Sequence, residues 1–299
     1  MGAHPCGYSE PMEHIEFVER PNLKSPPLIC AFRGWNDGGS AASLAARHLS
    51  QQWQARVIAY LDPEEFYDFQ VTRPTVRLEE GVSRVIDWPR GEFAAAAVDG
   101  RDVVIFTAAE PNVRWKAFTE EVLGAARELG CGMLVTLGAF LTDIPHSRDV
   151  PVVGSAADEE TAARLGLTRS QYQGPTGIVG VLHDASNRSG LLSVSLWAAV
   201  SHYLHAMPNP KAARALAERT SSLLELPLDT ASLAEQEEGW LEGVTEFIAQ
   251  NDELAEYVER LESAADQGGG QERLLEGPMP SGDSIAAELE RFLREQEEP

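Results

Sequence analysis

The chain has 299 residues, 43% hydrophobic and 24% charged, enough for one large domain or two ordinary ones and too apolar for wholesale disorder. Its 47 acidic and 24 basic residues give a net charge of −23, which excludes general binding to nucleic acid, where Lys and Arg must neutralise phosphates. No apolar run approaches the roughly 18 residues of a membrane span, and the first residues lack the charged-then-apolar pattern of a leader, so a soluble cytoplasmic protein with no membrane contact is expected.

In chain order, Leu28 to Phe32, Ala55 to Leu61, Asp102 to Thr107, Gly132 to Leu137 and Val150 to Gly154 read as strands, several apolar at consecutive positions as in a sheet buried on both faces. Between them, Ser40 to Gln54, Trp115 to Leu129 and Ala156 to Leu165 carry helical spacing of Leu, Ala and Trp. Thr75 to Leu78 and Val82 to Trp88, joined by Glu79-Glu80-Gly81, read as a β-hairpin. The alternation predicts an α/β fold, a three-layer sandwich whose mixed, mainly parallel sheet is covered by helices.

Charge divides the chain near Pro208 to Pro210: residues 1–210 carry a net −8 and residues 211–299 a net −15. The expected organisation is an α/β body over 1–210 and an acidic helical region over 211–299. That region holds a helix from Lys211 to Leu224, a long helix over about 233–265, a flexible Gly-rich linker at Gly268 to Gly270, and a last short helix starting near Asp283. Trp240, Val244, Phe247, Asn251, Leu254, Val258 and Leu261 form a heptad seam, which can pack on its own body or meet another subunit.

Chemistry can sit at five places. Arg33, Gly34, Asn36, Asp37, Gly38 and Gly39 lie between the first strand and first helix, where converging N–H groups favour an anion, or where Asp37 or Ser40 simply caps the helix. This is no P-loop, since the three lysines are Lys24, Lys116 and Lys211. The 61–75 loop offers Glu64, Glu65 and Asp68 as acid or base groups, or Phe66, Tyr67 and Phe69 as partner-facing anchors. Glu110, Asn112 and Arg114, and then Asp143 and His146, follow strand ends that border the ligand crevice of an open α/β sheet; Glu110 with Arg114 can equally be a local ion pair. Gly174, Thr176 and Gly177 permit close backbone approach, with His183 beside Asp184 downstream. His202 and His205 at i, i+3 supply two metal ligands without a third, and Cys6, Cys30 and Cys131 share no CxxC spacing, so no metal and no cofactor is expected.

Together these segments resemble the PAC2 family, the proteasome assembly chaperone 2-like proteins, most closely its actinobacterial branch. The resemblance rests on Gly34-Trp-Asn-Asp-Gly-Gly39, Leu61-Asp-Pro with Phe66-Tyr-Asp-Phe69 and Arg73-Pro74, Glu110-Pro-Asn-Val-Arg-Trp115, Leu137 to His146, and Gly174 to Asp184. It implies a fold similar to nucleoside phosphorylases, a homo-oligomer with a trimer as one option, and proteasome core subunits as a protein partner. Some eukaryotic members of the wider family engage the proteasome core particle with a C-terminal hydrophobic-Tyr-any residue tail, which Gln296-Glu-Glu-Pro299 does not match, so docking by that route is not expected. The function expected is a non-enzymatic, oligomeric assembly chaperone or scaffold. The alternative is an enzyme or sensor that binds a nucleoside-like or phosphorylated molecule in the crevice; fold alone fixes neither.

Overall fold

A computed structural model describes residues 13–79, 83–156, 158–169 and 172–267. The elements are β1 (Ile15–Phe17), β2 (Pro27–Arg33), α1 (Ala41–Gln52), β3 (Arg56–Leu61), β4 (Thr75–Glu79), β5 (Ser83–Asp87), β6 (Gly91–Val98), β7 (Arg101–Ala109), α2 (Trp115–Glu128), β8 (Met133–Thr142), β9 (Val152–Ala156), α3 (Glu159–Leu165), β10 (Thr168–Arg169), α4 (Ile178–Arg188), β11 (Leu192–Ser201), α5 (Pro210–Leu224), α6 (Ala231–Ala249) and α7 (Asp252–Asp266).

Nine strands form one sheet in the order β1-β3-β6-β7-β2-β8-β11-β9-β10. Its centre, β7-β2-β8-β11, is parallel, and β1, β3 and β6 join one side antiparallel, so the sheet is mixed. The β2 side chains Leu28, Ile29, Cys30, Ala31 and Phe32 are all buried, because both faces of this strand are covered. One core packs Ile29, Val135 and Leu196 under α1 and α5; the other packs Phe32 and Phe106 against Phe118 of α2 and Leu182 of α4. This is the three-layer sandwich that the pattern predicts.

Two expectations change. The helix over 233–265 is two helices, α6 and α7, because Asn251 leaves helical geometry and its side chain accepts from Leu254 N at 3.1 Å as an N-cap. The heptad seam continues through this break in the sequence and so hides it. Most of the seam is used by the same chain: Val244, Val258, Trp240 and Leu254 pack with Leu204, Tyr203 and Met207. Phe66 and Tyr67 are not surface anchors but core residues, 0% and 4% exposed, with Phe66 edge-on to Phe118. The linker at Gly268 and the last helix lie outside the described residues.

β4 and β5 pair as the hairpin expected, forming a separate two-stranded sheet. Among the described residues no helix is long and apolar enough to cross a membrane.

Candidate functional site

Four parallel strands end side by side, and their carboxyl ends deliver most of the candidate residues to one edge of the sheet. The edge divides into two halves with different chemistry.

Over β7 and β2, the organiser is Glu110. Its Oε1 accepts hydrogen bonds from Asn36 Nδ2 and from Ile178 N, both at 2.8 Å, and its Oε2 accepts from Trp35 N at 3.3 Å. Ile178 is the first residue of α4, whose cap residue Gly177 offers no side chain, so the Glu110 carboxylate takes the place of a cap and meets the positive end of the helix dipole. Two glycines make this approach possible. Gly34 has φ +137°, and a Cβ there would lie 3.1 Å from Glu110 Cβ; a Cβ on Gly177 would overlap the Asn36 amide. Asn36 is 2% exposed, and its Oδ1 has no hydrogen-bond partner among the described residues. Thr176 and Gly174 are exposed just ahead of the helix, with the Thr176 hydroxyl folded over Gly180.

The remaining residues of the first loop serve the helix behind it. Asp37 Oδ1 accepts from Ala42 N at 2.8 Å and Ser43 N at 3.2 Å, capping the start of α1, while burial pushes its carboxyl pKa up. Arg33 is exposed, and its charge opposes that rise at Asp37 and also at Tyr67. Gly38 lies against Ala139 and Leu141, and Gly39, in left-handed backbone at φ +57°, accepts from Asn209 N at 2.7 Å through its carbonyl.

Asn112 and Arg114 turn toward the 61–75 loop. Asn112 Oδ1 accepts from Asp68 N at 2.9 Å and Thr72 Oγ1 at 3.0 Å, and Arg114 pairs with Glu65, so the Glu110–Arg114 ion pair does not form.

Over β8 and β11, Asp143 and His146 belong to a second cluster. Asp143 Oδ1 accepts from Tyr257 Oη at 3.0 Å and lies 2.8 Å from His202 Nδ1. His202 and then Tyr257 hold the Asp143 pKa below its ordinary value. His146 meets Tyr203 twice: its backbone N–H donates to the Tyr203 oxygen at 2.9 Å, and its Nδ1 lies 2.8 Å from the same hydroxyl. Burial pushes the His146 pKa down, with Glu262 opposing and Lys211 reinforcing. Ser147 bonds Glu262, and Arg148 forks onto Asp266 at 2.9 Å, so α7 is laid over these strand ends. His183 is not with either half: its Nδ1 bonds Ser193 Oγ at 2.7 Å near the amino end of β11. Among the described residues no group of three His, Cys, Asp or Glu side chains could hold a metal ion.

Sequence reasoning missed Ile178 N, Tyr203 and Tyr257. Gly177 before an apolar run signals a helix start, but which carboxylate meets it is a long-range fact. A broad groove of about 780 Å³ lies elsewhere, between β1, β3 and the β4–β5 hairpin, with Glu16, Asp62, Arg77 and Asp87 on its walls.

The sequence profile of the PAC2 family matches residues 31–248. The fold is similar to a PAC2 family protein from Streptomyces avermitilis at 45% identity and TM-score 0.73, over 78% of this chain and 99% of that one. It is also similar to a proteasome-assembly chaperone homologue from Mycobacterium tuberculosis, at 44% identity and TM-score 0.70, again over 78% and 99%. An archaeal proteasome activator from Pyrococcus furiosus shares the fold at 20% identity and TM-score 0.65, over 78% and 97%. No curated protein matches the chain.

Proposed function

Because the chain belongs to the PAC2 family, we propose that it is a non-enzymatic, oligomeric assembly chaperone or scaffold for proteasome core subunits. The observation that carries this reading is the 44% identity, over nearly the whole of that protein, to a homologue of proteasome-assembly chaperones. The strand ends support it. Glu110 already occupies the positive end of α4, and α7 is bonded to the segment after β8 through Tyr257, Glu262 and Asp266, so the chain's own groups engage both halves of this edge.

The alternative, a site for a nucleoside-like or phosphorylated molecule, draws on Asn36 Oδ1, a buried acceptor with no described partner. That atom calls for a donor, which the hydroxyl or amino groups of a nucleoside bring, whereas a phosphate brings acceptors and would face the Glu110 carboxylate. The chaperone reading leads on the 44% identity to a proteasome-assembly chaperone homologue.

The test mixes the purified full-length chain with separately purified core subunits from its own host and follows assembly by native mass spectrometry. Faster accumulation of ring intermediates, with the chain bound to them, is expected. Unchanged assembly with no bound species counts against the proposal.

A further inference from the structure

The β4–β5 hairpin stands off the main sheet with one face uncovered. Val76, Leu78, Ile86 and Trp88 are 59%, 62%, 50% and 48% exposed. The register pairs Val76 with Ile86 and Leu78 with Arg84, which puts Arg84 on the same face as the apolar residues. Arg77, on the other face, is paired with Asp87 and Glu79, whereas Arg84 makes no ion pair with a described residue. A two-stranded hairpin is marginal by itself, and here one ring contact, Phe69 to Trp88 at 4.9 Å, ties it back. Exposed apolar surface of this kind marks an interface.

The same chain carries the complementary surface. Residues 69–91 hold four arginines against three acids in a chain of net charge −23, while residues 231–267 hold eleven acids against Arg260 alone. On α6, Gly239, Gly243 and Phe247 recur every fourth residue and form one stripe; nothing lies within 4 Å of a Cβ built on either glycine, and Phe247 is 47% exposed. Glu235, Glu242 and Glu246 line one side of that stripe and are exposed. An apolar notch with an acidic border fits an apolar strip centred on an arginine. The two surfaces do not meet within one chain. The hairpin follows β3 and precedes β6, whereas α6 packs with α5 and the residues after β11, and β6 and β11 are four strand spacings apart, roughly 19 Å.

We infer that the β4–β5 hairpin of one copy docks on the outer stripe of α6 in a second copy. The inference rests on the oligomeric part of the proposed function and names its surface. The contact is heterologous, since the hairpin meets α6 and never another hairpin, and such contacts propagate until they close into a ring.

Full-length Ile86→Glu and Phe247→Arg variants, each checked for native circular dichroism, are compared with the parent by light scattering after gel filtration. Each variant alone is expected to be monomeric. A mixture of the two is expected to give a dimer and nothing larger, because each pair keeps one intact hairpin and one intact α6 stripe. Arg84→Glu is expected to weaken the oligomer at least tenfold, and adding Glu246→Arg to the same chain to restore it. A monomeric parent, an unchanged mass in both variants, or a mixture that stays monomeric overturns the inference. Capture of core subunits by the same variants separates the two claims. An unchanged mass with capture retained overturns the docking and leaves the chaperone reading in place. An unchanged mass with capture lost in Ile86→Glu assigns the hairpin to a foreign subunit and also overturns it.

Discussion

Glu110 Oε1 accepts a hydrogen bond from the backbone N–H of Ile178 at 2.8 Å, across 68 residues of sequence. One carboxylate thereby joins the end of β7 to the start of α4 and, through Asn36, to the loop after β2. Hydrogen bonds to a charged acceptor contribute more than neutral ones, roughly 1.5–3 kcal/mol each. Glu110→Ala is expected to destabilise the protein by about 2 kcal/mol, and Glu110→Gln by about half that, since the amide still accepts but loses the charge opposite the helix dipole. Denaturant unfolding followed by circular dichroism measures both; equal stability in the parent and Glu110→Ala would contradict the organising role.

Gly177 meets the buried Asn36 side chain directly, since a Cβ there would overlap all three atoms of its amide group. The neighbour is a 2% exposed side chain with no room to retreat. Gly177→Ala is expected to cost about 1–3 kcal/mol, as overpacking does, while Gly166→Ala, with nothing within 4 Å but φ +62°, tests backbone strain alone. If Asn36→Ala fails to relieve the Gly177→Ala defect, the clash is not with Asn36.

Burial lowers the pKa of both His146 and His183 below the free value of about 6.5. A histidine whose folded value is depressed binds its proton more readily when unfolded. Stability is thus full above about pH 6.5 and declines as pH falls from there toward the folded values. At His146 burial is the main cause, reinforced by the Lys211 charge and opposed by Glu262. At lower pH the depressed Asp143 adds a second loss, as its stabilisation, present above the ordinary carboxylate value, disappears through its folded value. The unfolding midpoint is expected to drop between about pH 7.5 and pH 5.5, and His146→Gln with His183→Gln to flatten that drop. A double variant as pH-sensitive as the parent would rule out these two groups.

Val258 and Leu254 pack on Leu204 and Tyr203 in a small cluster separate from the two main cores, so α7 is held mostly by this contact and by polar bonds at Tyr257, Glu262 and Asp266. Val258→Asp is expected to raise amide exchange throughout 252–266 by tenfold or more while β8 and β11 stay protected. Exchange spreading into the central strands would mean that the arm and the body unfold together.

The sequence exposed the elements with strong local signals. β2 and β8 are continuous apolar runs, and α1 and α2 repeat Ala and Leu on one helical face, so their places follow from periodicity. β6 was illegible because Ala94 to Ala97 favour no sheet; only antiparallel pairing with β7 and the stacking of Phe93 on Phe106 make it a strand. β11 alternates Ser193 and Ser195 with apolar residues, and Ser195 is bonded inside the sheet by Thr136 and Trp197. For the candidate site, the strand-end rule places Glu110 and Asp143 at the carboxyl edge of the sheet, as the structure does, but nearness in sequence does not choose their neighbours' partners. Arg114 turns to Glu65, not to Glu110, and His183 bonds Ser193 at the far end of the sheet. Partners separated by dozens of residues are set by topology, which no local pattern encodes.

The most direct measurement of the central claim is mass spectrometry of proteins captured with the tagged full-length chain, at native level and after mild cross-linking. Unprocessed proteasome core subunits are expected to be enriched over mature particles, with a second copy of the chain in the same species. Recovery of the chain alone, or of mature particles without precursors, would contradict it.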